Sequence, residues 1–287
     1  MSLLTEQFAA AKGDPKPGTA EDEIVKCVRA LRRRAGLRAV APGSLEPFLA
    51  SRNIVDVAID DDLRADGALV PLGSDFGAGF RLFLRRDLPE ARINFTVAHE
   101  ICHTFFYERV PEIKYGSQTV DQGEERLCNS GAEEILMPAL DVRRCAKDKP
   151  VTLDVLLALA ARYRVSAPAM LIRLRRLRLW RAELVLWHEM TDGAFAVKRV
   201  WGGRFADWQW MESEIPLRAL SAPAESVMSG STFWIAGTPE YRTSRAVSYQ
   251  VKRHGNDVLA LVILRQRKSS RPVVPDQCEL FPRPALH

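Results

Sequence analysis

The 287-residue chain has a formal net charge of +5, with 47% apolar and 27% charged residues. No apolar run reaches the length of a membrane span, and no charged-then-apolar signal pattern opens the chain, so a membrane protein is not expected. Five scattered cysteines argue against a disulfide framework and fit a reducing cytoplasm, and the mild basic charge permits acidic partners without requiring them.

The length suits two or three domains. Residues 1–20 contain Gly13, Pro15, Pro17 and Gly18 among polar residues and read as a disordered N-terminus. From Glu21 to Arg34 an amphipathic helix is expected, with Ile24, Val28 and Leu31 as its apolar stripe. The basic end of that helix, Arg29 with Arg32, Arg33 and Arg34, reads as a solvated helix end rather than a nucleic-acid site.

The next helix carries the most informative spacing in the chain. From Asn94, a plausible N-cap, the apolar residues Phe95, Ala98, Ile101, Cys102 and Phe105 recur every three or four positions, and Pro111 closes the segment. Within it stands His99-Glu100-Ile101-Cys102-His103, an H-E-x-x-H that uses two of the chain's five histidines. Histidines four apart lie on one helical face, so both imidazoles can reach one metal ion. Glu100 then falls where a base toward water is needed, which is the minimal layout of a zinc hydrolase.

A third ligand is expected on a second helix spanning Asp121 to Pro138. Glu125 is the first candidate, with Asn129 one turn on to orient a ligand histidine from behind. Glu124 can serve after a small rotation of the helix, and Glu133 and Glu134, two turns further along, are weaker candidates. Cys102 and Cys128 fall inside these motifs, but their place on the apolar faces reads as buried small hydrophobes rather than ligands.

Beyond Pro138 a basic stretch, Arg143 to Lys149, leads to two short helices. Thr152 caps the first and Ser166 the second, which has Pro168 in its first turn. Arg173, Arg175, Arg176 and Arg178 on the second helix give residues 143–181 the outline of a helix-turn-helix, read as packing or partner docking ahead of direct DNA contact. From residue 182 the pattern changes to strands at 184–187, 195–200, 246–251 and 258–264, interrupted by a helical piece near Pro216 to Met228. Residues 182–267 are therefore expected to form a separate C-terminal α+β domain. Trp201, Phe205, Trp208 and Trp210 there can line a ligand pocket but read first as core or interface, and His188 and His254 read as ordinary histidines. Residues 268–287, with four prolines, read as a disordered tail.

Three of these stretches together resemble one family. Phe95-Thr96-Val97-Ala98-His99-Glu100-Ile101-Cys102-His103, Glu125-Arg126-Leu127-Cys128-Asn129 and Ile135-Leu136-Met137-Pro138 resemble, in order, the motifs of the ImmA/IrrE metallo-endopeptidases. Upstream, Asp66-Gly67-Ala68-Leu69 and Phe80 to Leu84 look like the sheet that precedes them, so the resemblance covers about residues 50–180. It implies a zincin-like catalytic core at 21–142, an α+β fold with a small sheet, and a GAF-like sensor in the C-terminal position. It also implies zinc, or manganese, on His99, His103 and Glu125, with Glu100 as catalytic glutamate. The implied partner is a helix-turn-helix transcriptional repressor, cleaved to release stress or mobile-element genes. The chain departs from the family at Cys128-Asn129-Ser130-Gly131-Ala132, where Gly131 stands in place of an aromatic, and weaker packing behind Glu125 is expected. The rival reading is a DNA-binding or repressor-sequestering regulator whose metal site does no chemistry.

Overall fold

The computed structural model describes residues 19–34, 36, 44–73, 76–107, 122–203, 226–236 and 243–264. It is an α+β arrangement with two sheets. Helix α1 (Thr19–Arg34) and the short α2 (Glu46–Ser51) precede strands β1 (Ile54–Asp60), β2 (Gly67–Pro71) and β3 (Phe80–Arg85). These strands form a sheet of order β1-β3-β2, parallel on the β1 side and antiparallel on the β2 side. Phe80, Leu82 and Leu84 alternate toward one face, as a half-covered strand requires, and are buried there. Helix α3 (Glu90–Tyr107) closes that core with Ala98, Ile101, Cys102 and Phe105 of the expected stripe, while Phe95 is half-buried at its edge.

Helix α3 begins a turn earlier than its sequence suggests. The Pro89 carbonyl accepts from the amides of Arg92 and Ile93, and Asn94 lies inside the helix. Asn94 is no cap: its side-chain amide donates to the Arg164 carbonyl at 2.9 Å, tying α3 to a distant turn.

Helix α4 (Gln122–Leu136) packs between α3 and α1. Gly131 marks the closest approach, for a Cβ there would lie 2.5 Å from Cys102 Sγ and 3.1 Å from Ile24 Cγ1. The space expected to be left by a missing aromatic is therefore filled by two neighbouring side chains. Pro138 ends that helix but also opens α5 (Ala139–Ala146), an element the basic run from Arg143 conceals in the sequence. This helix spans the junction expected at 142/143.

Helices α6 (Leu153–Arg162) and α7 (Ala167–Arg176) start where expected. Thr152 Oγ1 accepts from the Val155 amide and Ser166 Oγ from the Ala169 amide. Among the described residues, no single helix is long and apolar enough to cross a membrane.

The second sheet is antiparallel, of order β5-β4-β8-β7-β6, from β4 (Ala182–Glu189), β5 (Phe195–Trp201), β6 (Val227–Ala236), β7 (Thr243–His254) and β8 (Asp257–Leu264). Each strand predicted from the sequence is present. The helical piece expected up to Met228 is not helical at its end, because Val227 and Met228 pair with β7; its remainder lies outside the described residues, as do Phe205, Trp208 and Trp210. One face of this sheet, through Leu184 and Leu261, joins the core of the helical part, and Gln250 accepts from the Leu153 amide at 2.6 Å.

Candidate metal centre

Helix α3 presents His99 and His103 one turn apart, their ring centroids 4.8 Å from each other. Each ring is held from behind by α4. His99 Nδ1 lies 3.1 Å from Asn129 Oδ1, and His103 Nδ1 lies 2.7 Å from Glu124 Oε1. An amide oxygen and a carboxylate can only accept, so those contacts assign a proton to each Nδ1. The two Nε2 atoms are then left as lone-pair donors facing each other at 3.0 Å. The Glu125 carboxylate completes the set, 3.2 Å from His99 Nε2 and 3.5 Å from His103 Nε2.

Three electron-pair donors converging on one point repel unless a cation or a proton lies between them. Two imidazoles on a tetrahedral zinc, bonded at about 2.0–2.1 Å, place their nitrogens roughly 3.3 Å apart, close to the spacing seen. The donor set thus fits a divalent metal. Without one, the cluster satisfies itself with protons. Burial alone would lower the pKa of His103, but the Cys128 thiol, Glu124 and Glu125 raise it well above its ordinary value. Hydrogen bonds from His103 and His99 hold the Glu125 carboxyl well below the usual carboxylate range.

The two glutamates that the sequence leaves in competition are separated by this geometry. Glu125 meets both Nε2 atoms, whereas Glu124 meets the far side of one ring. Glu133 and Glu134 lie elsewhere, engaged with arginines: Glu133 with Arg176 at 2.6 Å, and Glu134 with Arg173 and, at 2.9 Å, with Arg29. Cys102 is buried as expected. Cys128 is buried too, yet its Sγ and one nitrogen of each histidine all lie within 4.8 Å of one another, so a side chain read as a small hydrophobe has ligand reach.

Glu100 is buried beside this cluster. Burial pushes its carboxyl pKa up, a shift only partly offset by His103 and His99. Strand β2 passes directly over it at Gly67: a Cβ there would collide with the Thr96 methyl and come within 3.3 Å of Glu100 Oε1. A glycine is needed for that close approach. Sequence reasoning noticed the Asp66-Gly67 pair without assigning it a role.

Arg52 was also missed. It is buried, donates from Nε to Thr104 Oγ1 at 2.7 Å and from Nη2 to the Thr104 carbonyl at 3.1 Å, and lies 4.5 Å above the Phe105 ring. A cation at one of the last carbonyls of a helix stabilises that end, here the turn just past His103. No local signal marks it, because the contact bridges 52 positions. The Tyr107 side chain and Tyr115, considered as oxyanion donors from the sequence, lie outside the described residues.

Residues 66–175 match the family model described as the IrrE N-terminal-like domain of the M78 peptidases. Among solved structures, a Mycobacterium tuberculosis transcriptional regulator is similar at 15% identity and a TM-score of 0.47, over 91% of this chain and 80% of that one. No curated protein matches.

Proposed function

The chain belongs to the ImmA/IrrE family of M78 peptidases through residues 66–175, and from that membership we propose that it is a zinc-dependent endopeptidase of the gluzincin type. The observation that carries this reading is the convergence of His99 Nε2, His103 Nε2 and the Glu125 carboxylate within 3.5 Å, with Glu100 buried alongside. His99, His103 and Glu125 would hold the metal, while Asn129 and Glu124 fix the ring orientations through Nδ1. Zinc, or manganese in its place, supplies Lewis acidity to a peptide carbonyl and to water when bound there.

The remaining chemistry falls to the chain. Glu100 takes a proton from the attacking water and returns it to the leaving amine. Its burial suits this, since a carboxylate with a raised pKa binds a proton more readily. Among the described residues β2 pairs on one side only, with β3, and its other edge is free for an extended substrate segment to add as a strand. Gly67 keeps that edge close to Glu100.

The substrate we propose is a partner protein, a helix-turn-helix repressor whose cleavage releases stress or mobile-element genes, as the family membership suggests. The chain reads as a zincin-like unit at 21–142, a helical segment at 143–181 that α5 joins to it across 142/143, and a GAF-like unit at 182–267. The five-stranded antiparallel sheet supports the last of these. Direct DNA reading by α7 is disfavoured. Arg173 is buried on Glu134, Arg175 donates to the Ala182 carbonyl at 2.5 Å, and Arg176 pairs with Glu133.

Glu100→Gln separates a peptidase from a sequestering regulator. Zinc-loaded wild type should cleave a fluorogenic peptide library, and the variant should keep its zinc while losing about 100-fold or more of the rate. Cleavage at the wild-type rate by Glu100→Gln would overturn the assignment of Glu100 as base.

A further inference from the structure

The metal centre holds one donor more than the proposed peptidase needs. Glu125 and Cys128 are three apart on α4, so both side chains fall on one face of the helix, turned toward α3. Glu125 lies at the more open side of the cluster, and Cys128 lies in its buried wall. Cys128 Sγ and one nitrogen each of His99 and His103 stand within 4.8 Å of one another, a second three-donor cluster that shares both histidines with the first. Gly131, one turn further on, lets α4 approach α3 closely enough for this, since a Cβ at that position would strike Cys102.

We infer that Cys128 is a fourth inner ligand of the same metal ion, making the resting centre a closed set of His99, His103, Glu125 and Cys128. This rests on the peptidase reading and adds a regulatory state to it. Four protein ligands are the mark of a closed zinc site, and three with a vacant place the mark of a catalytic one. With sulfur on the metal no place remains for water, so water enters only when Cys128 withdraws, and the thiol slows cleavage by the wild type without abolishing it. Coordination breaks the Sγ–H bond and forms a sulfur–metal bond, with the proton released to solvent; nothing is oxidised or reduced. A thiolate also biases the site toward zinc, cobalt or cadmium over manganese, whose preference is for oxygen donors.

The test uses the full-length chain loaded with cobalt(II), which reports its ligands in the absorption spectrum. The wild type should bind one cobalt per chain and show an intense near-ultraviolet sulfur-to-cobalt charge-transfer band beside the weaker visible bands. Cys128→Ser should keep the cobalt and lose the charge-transfer band completely, while Cys102→Ser should keep both. Cobalt bound by wild type without that band would overturn the role of Cys128 and leave the His-His-Glu centre standing. Failure of wild type to bind cobalt or zinc at all would overturn the metal centre itself, and this inference with it.

Discussion

Replacing Glu134 with alanine should be among the most damaging single changes outside the metal centre. Its carboxylate is 5% exposed and faces the guanidinium of Arg173, which is 8% exposed. The same carboxylate accepts from Arg29 at 2.9 Å and from the Ala139 amide at 3.3 Å, so one side chain joins α4, α7, α1 and the start of α5. Removing one member of a buried ion pair costs about 3–5 kcal/mol, because the other charge stays buried. Here Arg173 retains the Met137 carbonyl at 2.9 Å and Glu133 at 3.8 Å, which places the loss toward the lower end. Arg29 is nearly half exposed, and its share adds less than about 1 kcal/mol. The expected total is therefore about 3–4 kcal/mol, read from urea unfolding followed by tryptophan fluorescence, with Trp180 and Trp187 buried as reporters. The double replacement Glu134→Leu with Arg173→Met removes both charges together and should recover to within about 1 kcal/mol of wild type. A loss below about 1 kcal/mol in the single variant, or a double variant no better than the single, would refute the reasoning.

Gly67→Ala should lower peptide cleavage by about 100-fold at unchanged zinc content, because the new methyl presses β2 away from Thr96 and Glu100; wild-type cleavage by this variant would mean that β2 does not position the site. Tyr163→Phe should flatten the acid side of the stability profile. Burial raises the Asp141 pKa, but hydrogen bonds from Tyr163, at 2.7 Å, and from Arg144 bring it below its ordinary value. That carboxylate therefore stabilises the fold above the unfolded pKa of about 3.9, and the stabilisation fades as pH falls through the lower folded value. The variant should lose less stability than wild type between neutral pH and about pH 3, measured by urea midpoints; parallel curves would remove Tyr163 from the account.

What the sequence discloses here follows from the range of the interactions involved. His99, Glu100 and His103 share one turn of helix, and Glu125 and Asn129 one turn of another, so their spacing alone brings the right groups to common faces. Thr152 and Ser166 are legible for the same reason, since each cap acts three residues away. Arg52 with Thr104, Asn94 with Arg164, and Glu134 with Arg173 are joined only by the tertiary fold, and nothing local marks them. Helix α5 was hidden by its own charge: Arg143 and Arg144 read as a basic linker, yet its buried side is Ala139, Val142 and Ala146. Cys128 was read by hydrophobicity, which places it correctly inside but says nothing about which groups share that interior.

The proposed peptidase chemistry requires a metal held by His99, His103 and Glu125. The direct measurement is elemental analysis of purified wild type beside His99→Ala, Glu125→Ala and Glu124→Ala. About one zinc per chain is expected in wild type, none in His99→Ala or Glu125→Ala, and zinc retained with roughly 10–100-fold weaker affinity in Glu124→Ala, whose carboxylate only supports His103. Metal-free wild type, or full zinc in Glu125→Ala, would contradict it.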